Sequence, residues 1–216
     1  SACVAIGLNA LADQNANVKN TAIGAYAGAD ITTGAANTLI GYFAGKSGTV
    51  TGGNAGWNNN TMVGHQAGMS ATEGGQNTFI GAFSGDSAVT GDYNTCVGYD
   101  TGTNLTDGPG NVLIGSSAGV NMTTGDYNIA IGFQAADVLA GDSDGNIAIG
   151  SNALGGEDLG SYNIAVGGNA LLVQNTHTSI NLAIGVNAGA TISSGTQNVL
   201  IGHQAGEALA DDSQNT

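Results

Sequence analysis

No arginine occurs in this chain, and its only lysines are Lys19 and Lys46. Phosphate recognition draws its affinity from Lys and Arg. A formal net charge of −14 therefore speaks against nucleic acid as a partner, and against an anionic membrane surface. An acidic surface does suit solubility in salty surroundings. Proline appears once and aromatics make up 5% of the residues. A disordered tail would be richer in charge and proline, whereas a compact core would need more large side chains to pack densely. Long apolar runs are missing as well: no stretch of about 18 residues predicts a membrane span, and no secretory leader opens the chain. The two cysteines, Cys3 and Cys96, have no Cys/His metal spacing around them. They fix no redox compartment.

What is present is small and periodic. Glycine accounts for 38 of 216 residues, and 41% of the chain is apolar, much of it alanine. Aligned on the Gly of an Ile/Val-Gly pair, the chain gives twelve anchors: Gly7, Gly24, Gly41, Gly64, Gly81, Gly98, Gly115, Gly132, Gly150, Gly167, Gly185 and Gly202. Eight intervals are 17 residues, two are 18 and one is 23. The residue before the anchor is Ile or Val every time, and four before it stands Asn in eleven of twelve units. Three after it the residue is small, Ala in ten units and Ser84 or Thr101 in the others. A second Gly recurs ten after the anchor, as in Gly74, Gly91, Gly108 and Gly125.

A unit this short cannot bury its own apolar face, so neighbours must stack. The apolar positions lack a 3.6-residue period, which excludes helical repeats. The fold class this predicts is all-β: a parallel β-solenoid with one repeat of about 17 residues per coil. About 12 coils at the strand spacing give a rod of about 55 to 60 Å. Residues 1–216 form a single repeat domain, with a loop insertion around 46–59 at the 23-residue interval. The chain starts and stops within a repeat, which predicts a fragment of a longer fibre protein. The Asn column is expected at turns with left-handed backbone angles, its amides stacked in a ladder along the axis.

Strand residues alternate between faces. Positions −1 and −3 from the anchor share one face, assigned here to the narrow interior of the coil. Position −2 then looks outward, yet it too is apolar throughout, and burial on both sides is the reading of such a strand. This predicts a homo-oligomer around the long axis, with Leu39, Met62, Phe79, Cys96, Leu113 and Leu200 at the seam between its chains. The alternative is a wider monomeric coil holding both columns inside. Cys96 falls in the seam column as a small hydrophobe. Cys3 lies about 25 Å from it by the strand spacing, too far for a disulfide.

The segments "NTAIGAYAG", "NTLIGYFAG", "NTFIGAFSG" and "NIAIGFQAA" resemble the Asn-x-x-Ile-Gly coils of trimeric autotransporter adhesin heads. The "TTG" turns resemble repeat regions of phage and bacterial tail-fibre proteins, which often end in a self-cleaving chaperone domain. The resemblance implies a left-handed β-roll and a homotrimer. The repeat is longer than the adhesin coil, so one turn must be larger, and neither an anchor nor a chaperone domain follows in these residues.

Turns and insertions are where chemistry would sit. The insertion carries the only Trp, Trp57, beside Asn58 and Asn59. A flat ring with amides suits a receptor contact such as a glycan; a ring folded back onto a neighbour is the plainer reading. "DSDGN", Asp142 to Asn146, starts like a calcium loop, but position 153 is Ala where the bidentate acid belongs, and an ordinary acidic turn is favoured. His65, His177 and His203 are too scattered to share a metal. The pairs Glu157/Asp158 and Asp211/Asp212 stand at glycosidase-like spacing only across turns, and no catalytic motif is visible. The expectation is a non-enzymatic structural or adhesive fibre segment of a viral tail fibre or extracellular surface, with no cofactor and no metal. Its partners would be itself, a host glycan or protein, and neighbouring fibre or baseplate proteins. An adhesin head is the alternative, and an ice-binding solenoid a lower one.

Overall fold

Twelve strands of three residues each form the only regular secondary structure in the described part of the chain. The computed structural model describes residues 2–15, 19–48, 57–87, 89–139, 141–156, 160–173, 180–207, 209 and 213–215. In chain order the strands are β1 (Val4–Ile6), β2 (Thr21–Ile23), β3 (Thr38–Ile40), β4 (Thr61–Val63), β5 (Thr78–Ile80) and β6 (Thr95–Val97). They continue as β7 (Val112–Ile114), β8 (Ile129–Ile131), β9 (Ile147–Ile149), β10 (Ile164–Val166), β11 (Leu182–Ile184) and β12 (Val199–Ile201). Each pairs in parallel with the next, and together they make one sheet in strict sequence order. The register never slips: Ile40 lies beside Val63 across the long interval as Ile23 lies beside Ile40 across a short one. This is a β-solenoid of about 17 residues per turn.

The anchor glycine is fixed by two constraints at once. Its φ lies between +130° and +148° in all twelve coils, a region that L side chains rarely adopt. From Gly7 to Gly185 a Cβ there would also strike the backbone of the next coil: one built on Gly81 falls 2.1 Å from the carbonyl oxygen of Gly98. The strand therefore ends at the anchor, and the coils close up there.

The Asn ladder exists, with the backbone as its main partner. Each Asn side-chain oxygen accepts the next Asn's backbone N–H, as Asn37 N–H to Asn20 Oδ1 at 2.8 Å and Asn128 N–H to Asn111 Oδ1 at 2.8 Å. Several next-coil amides donate to the same oxygen, as Asn146 Nδ2 to Asn128 Oδ1 at 3.1 Å. Nδ2 also reaches a carbonyl at the second-Gly position, as Asn111 to Gly125 O at 2.8 Å. The turn angle belongs elsewhere than expected. The residue before the Asn takes the left-handed conformation (Gln76, Tyr93, Tyr127, Gln197), while the ladder Asn residues do not. The Asn is a buried bracket between coils.

The two faces of the strand are the reverse of the sequence assignment. Leu39, Met62, Phe79, Cys96, Leu113 and Leu200 are buried within the single chain and form its core. The expected trimer seam through these six residues is therefore corrected: they point into the coil, where another copy cannot reach them. The residues at −1 and −3 face out. Several coils show size compensation in the core: Ala22, Ala130 and Ala183 share their coils with Ile31, Leu139 and Ile192, while Phe79 shares its coil with Val89 and Met62 with Ala71. From Ala27 to Ala188 the small residue three after the anchor is also buried, and Ser84 and Thr101 satisfy their hydroxyls on the carbonyls of Cys96 and Gly115.

Candidate functional site

Trp57 is fully buried. It stands seven residues before Gly64, the place that Gly74 and Gly91 hold before their own anchors. Its carbonyl takes that column's job, accepting Asn37 Nδ2 at 3.2 Å. Its indole lies over Gly34, Gly45 and Gly48; a Cβ on Gly48 would fall 2.9 Å from the ring. The coil through β3 has no large residue in the third core column because Gly48 stands there, and the indole fills that slot. Trp57 is therefore core, and the expected receptor contact is corrected for it. Its Nε1 finds no partner among the described residues, at a cost of about 1–3 kcal/mol. Asn58 Oδ1 accepts the Ala35 N–H at 2.8 Å and works as a turn bracket. Asn59 alone of the three is exposed, with φ of 59°. Residues 49–56 of the insertion lie outside the described residues.

The acidic turn opening at Asp142 is occupied by the scaffold. Ser143 gives its carbonyl to Asn128 Nδ2 at 2.7 Å, Asp144 Oδ1 accepts the Asp126 N–H at 2.9 Å, and Asn146 belongs to the ladder. Among the described residues no three His, Cys, Asp or Glu groups are placed to share an ion. His65 is exposed and stacks on Tyr42 at 5.5 Å between ring centroids, and His203 is exposed far along the rod. His177, Glu157, Asp158, Asp211 and Asp212 lie outside the described residues. No disulfide joins Cys3 to Cys96. Burial pushes the Cys96 thiol up to about 12, which makes it inert.

The outer surface of the sheet is the feature left without a partner. Ile6, Ile23, Ile40, Ile80, Ile114, Ile149, Ile184 and Ile201 are all exposed in one column. Beside it runs the −3 column: Thr21, Thr38, Thr61, Thr78 and Thr95 in β2 to β6, then Val112, Ile129, Ile147, Ile164, Leu182 and Val199 in β7 to β12. Leu8, Tyr42, Tyr99, Phe133 and Val186, each one past its anchor, extend this face on the other side. No charged side chain interrupts the −1 and −3 columns.

No family model, no curated protein and no solved structure matches the chain.

The reading of this face thus rests on geometry and chemistry. Sequence reasoning found that both strand faces are apolar and missed which one is outside. The missing signal was the size scatter of the −2 column, Ala to Phe, offset within each coil, against a −1 column held to Ile and Val.

Proposed function

We propose that the chain is a segment of a structural, adhesive fibre: a stiff rod of three parallel copies, wound left-handed, that holds binding surfaces away from a virion or cell. The observation that carries this reading is the outer column from Ile6 to Ile201 with its −3 neighbours. The −1 column makes an uninterrupted apolar strip about 50 Å long, flanked by threonines in β2 to β6 and by aliphatic side chains in β7 to β12, and soluble monomers rarely leave contiguous apolar patches of more than a few hundred Å² in water. A second and third copy of the same strip cover it most simply, since the repeat runs along the axis and identical columns meet in register. The number three and the hand come from the resemblance to adhesin and tail-fibre coils; the strip itself supports self-association.

The function is mechanical. Backbone hydrogen bonds and the Asn brackets run along the rod, so bending or stretching must break many at once. Threefold display then raises effective affinity for a surface through multivalency. Replacing Ile114 and Ile149 together by Asp puts six charges into a three-chain seam while leaving each coil's core untouched. Light scattering should show the variant as single, folded chains. A variant that keeps the wild-type mass would remove this strip as the seam.

One observation favours a second reading. Thr21, Thr38, Thr61, Thr78 and Thr95 are in register on one sheet face, the regular threonine array an ice-binding surface requires. A seam would cover that array, so thermal hysteresis in a protein that stays a single chain would favour it over the fibre.

A further inference from the structure

The position before the ladder Asn carries an alternation that folding does not ask for. In five successive coils it reads Tyr93, Gly110, Tyr127, Gly145, Tyr162. Backbone geometry does not demand the two glycines: φ is 73° at Gly110 and 64° at Gly145, and 63°, 54° and 63° at the tyrosines. Gln76 and Gln197 hold side chains at 59° in the same column. What the glycines do is make room. A Cβ on Gly110 would lie 2.6 Å from Cδ1 of Tyr127, and one on Gly145 would lie 2.8 Å from Cδ1 of Tyr162. Both rings are thus laid over the preceding coil. Tyr93, Tyr127 and Tyr162 remain 60%, 68% and 60% exposed.

Their backbones are pinned. Tyr93, Tyr127 and Tyr162 donate their N–H groups to the carbonyls of Gly75, Pro109 and Asp144 at 3.2, 3.0 and 2.9 Å. Gly110 and Gly145 donate to Asp92 and Asp126 at 2.9 Å. The residue in front of each tyrosine is polar: Asp92, Asp126 and Ser161. Asp92 and Ser161 bracket the neighbouring coil by accepting the N–H groups of Gly75 and Asp144 at 2.7 and 3.0 Å. The result is three tyrosines in line on a pinned backbone, two coils apart, or about 9.6 Å at the strand spacing, with the rings of Tyr127 and Tyr162 laid over a glycine and a polar residue in front of each tyrosine.

We propose that this tyrosine row is a binding platform for an extended, neutral, β-1,4-linked glycan. An aromatic face is negative and attracts the positive C–H face of a sugar ring, while carboxylates and hydroxyls beside it accept and donate to sugar hydroxyls. In a β-1,4-linked chain successive units are turned over, so every second unit offers the same face. A platform that matches it needs a ring at every second step and nothing raised between, which is the Tyr–Gly alternation. Rings carried on a pinned backbone lose less entropy on binding than rings on a loop that must first be ordered. Charge sets the class of glycan: Asp107, Asp142 and Asp144 stand close enough to Asp126 to add to the rise in proton affinity that desolvation gives it, and an anionic sugar would be repelled by this edge. The inference deepens the adhesive part of the proposed function by naming a ligand class, and it holds whether or not the apolar strip is a seam.

The test is isothermal titration of the native chain with hexamers of β-1,4-linked N-acetylglucosamine and β-1,4-linked glucose, with the α-1,4-linked glucose hexamer as the curved control. The platform predicts binding of at least one β-linked hexamer, no binding of the curved one, and at least a tenfold loss of affinity in Tyr127→Ala. Gly110→Ala, which displaces the ring without removing it, should lose affinity comparably while the melting temperature of Tyr127→Ala stays near wild type. Failure of both β-linked hexamers to bind at millimolar concentration overturns the proposal, as does binding indifferent to Tyr127→Ala. A change of chain mass in Tyr127→Ala by light scattering would also overturn it, because the row would then belong to the seam. An unchanged mass with lost binding separates this platform from the association reading.

Discussion

Leu113 and Ile114 are adjacent in β7 and occupy opposite environments, the first 0% and the second 37% exposed. Leu113 packs against the core of its own coil, with Gly119 and Gly102 closing over its methyl groups. Ile114 looks out over the strip beside Ile131 of the next strand. Two neighbouring substitutions should therefore fail in different ways. Leu113→Ala should cost about 2–5 kcal/mol of stability through the cavity it leaves, read by chemical denaturation. Ile114→Ala should cost little in a single chain and weaken association instead.

Glycine substitutions should divide just as sharply. At Gly81 an alanine meets both a forbidden φ of +131° and a carbonyl 2.1 Å from its Cβ. Strain of about 1–3 kcal/mol adds to overpacking of about 1–3 kcal/mol, so Gly81→Ala should lower the melting temperature strongly or abolish folding. Gly168 sits one residue past its anchor with only Ser151 O near, at 3.8 Å. Gly168→Ala should be within about 0.5 kcal/mol of wild type, as surface changes usually are.

Trp57 is the chain's only tryptophan, so its fluorescence reports the insertion's core plug alone. Its emission should be blue-shifted and resist quenching by iodide, shifting red only on unfolding. Trp57→Ala should destabilise by about 3–5 kcal/mol. Red-shifted, freely quenched emission from the native chain would place the indole in water and contradict the plug.

Acidification should stabilise the rod before it harms it. Desolvation raises the proton affinity of Asp126, with Asp144, Asp107 and Asp142 adding to it. Asp86 is raised by desolvation and then Asp100, and Asp137 by desolvation against an opposing backbone hydrogen bond. In each case the folded chain holds the proton more tightly than an unfolded one, whose carboxylates titrate near about 3.9. The stability these groups contribute is complete below that value and is lost as pH rises through their folded values. Melting temperature should therefore rise between pH 7 and about 4.5 as repulsion within a chain of net charge −14 also falls. Asp137→Asn should flatten part of that rise; a melting temperature that falls over the same range would contradict it.

Much of this architecture was legible in the residues because a stacked repeat writes each constraint twelve times. The Ile-Gly pair marked strand and register, since any slip would move every side chain to the other face, and the recurrent Asn marked the bracket. What stayed hidden was direction. Alternation says that Leu113 and Ile114 face opposite ways, but with both columns apolar it does not say which way is in. Trp57 misled for a related reason: a lone aromatic in a Gly-rich stretch looks like a protruding contact until it is counted seven back from Gly64. The tyrosine row was hidden in another way, because its meaning lies in the glycines between the rings, and their purpose shows only once Tyr127 is seen to lie over Gly110.

The claim on which the fibre reading depends is that the outer strip from Ile6 to Ile201 is covered by sister chains. Multi-angle light scattering of the unmodified chain, taken across a hundredfold dilution series, tests it most directly. The account predicts a particle of three 21.0 kDa chains that persists on dilution. A mass of 21.0 kDa across the series would contradict it.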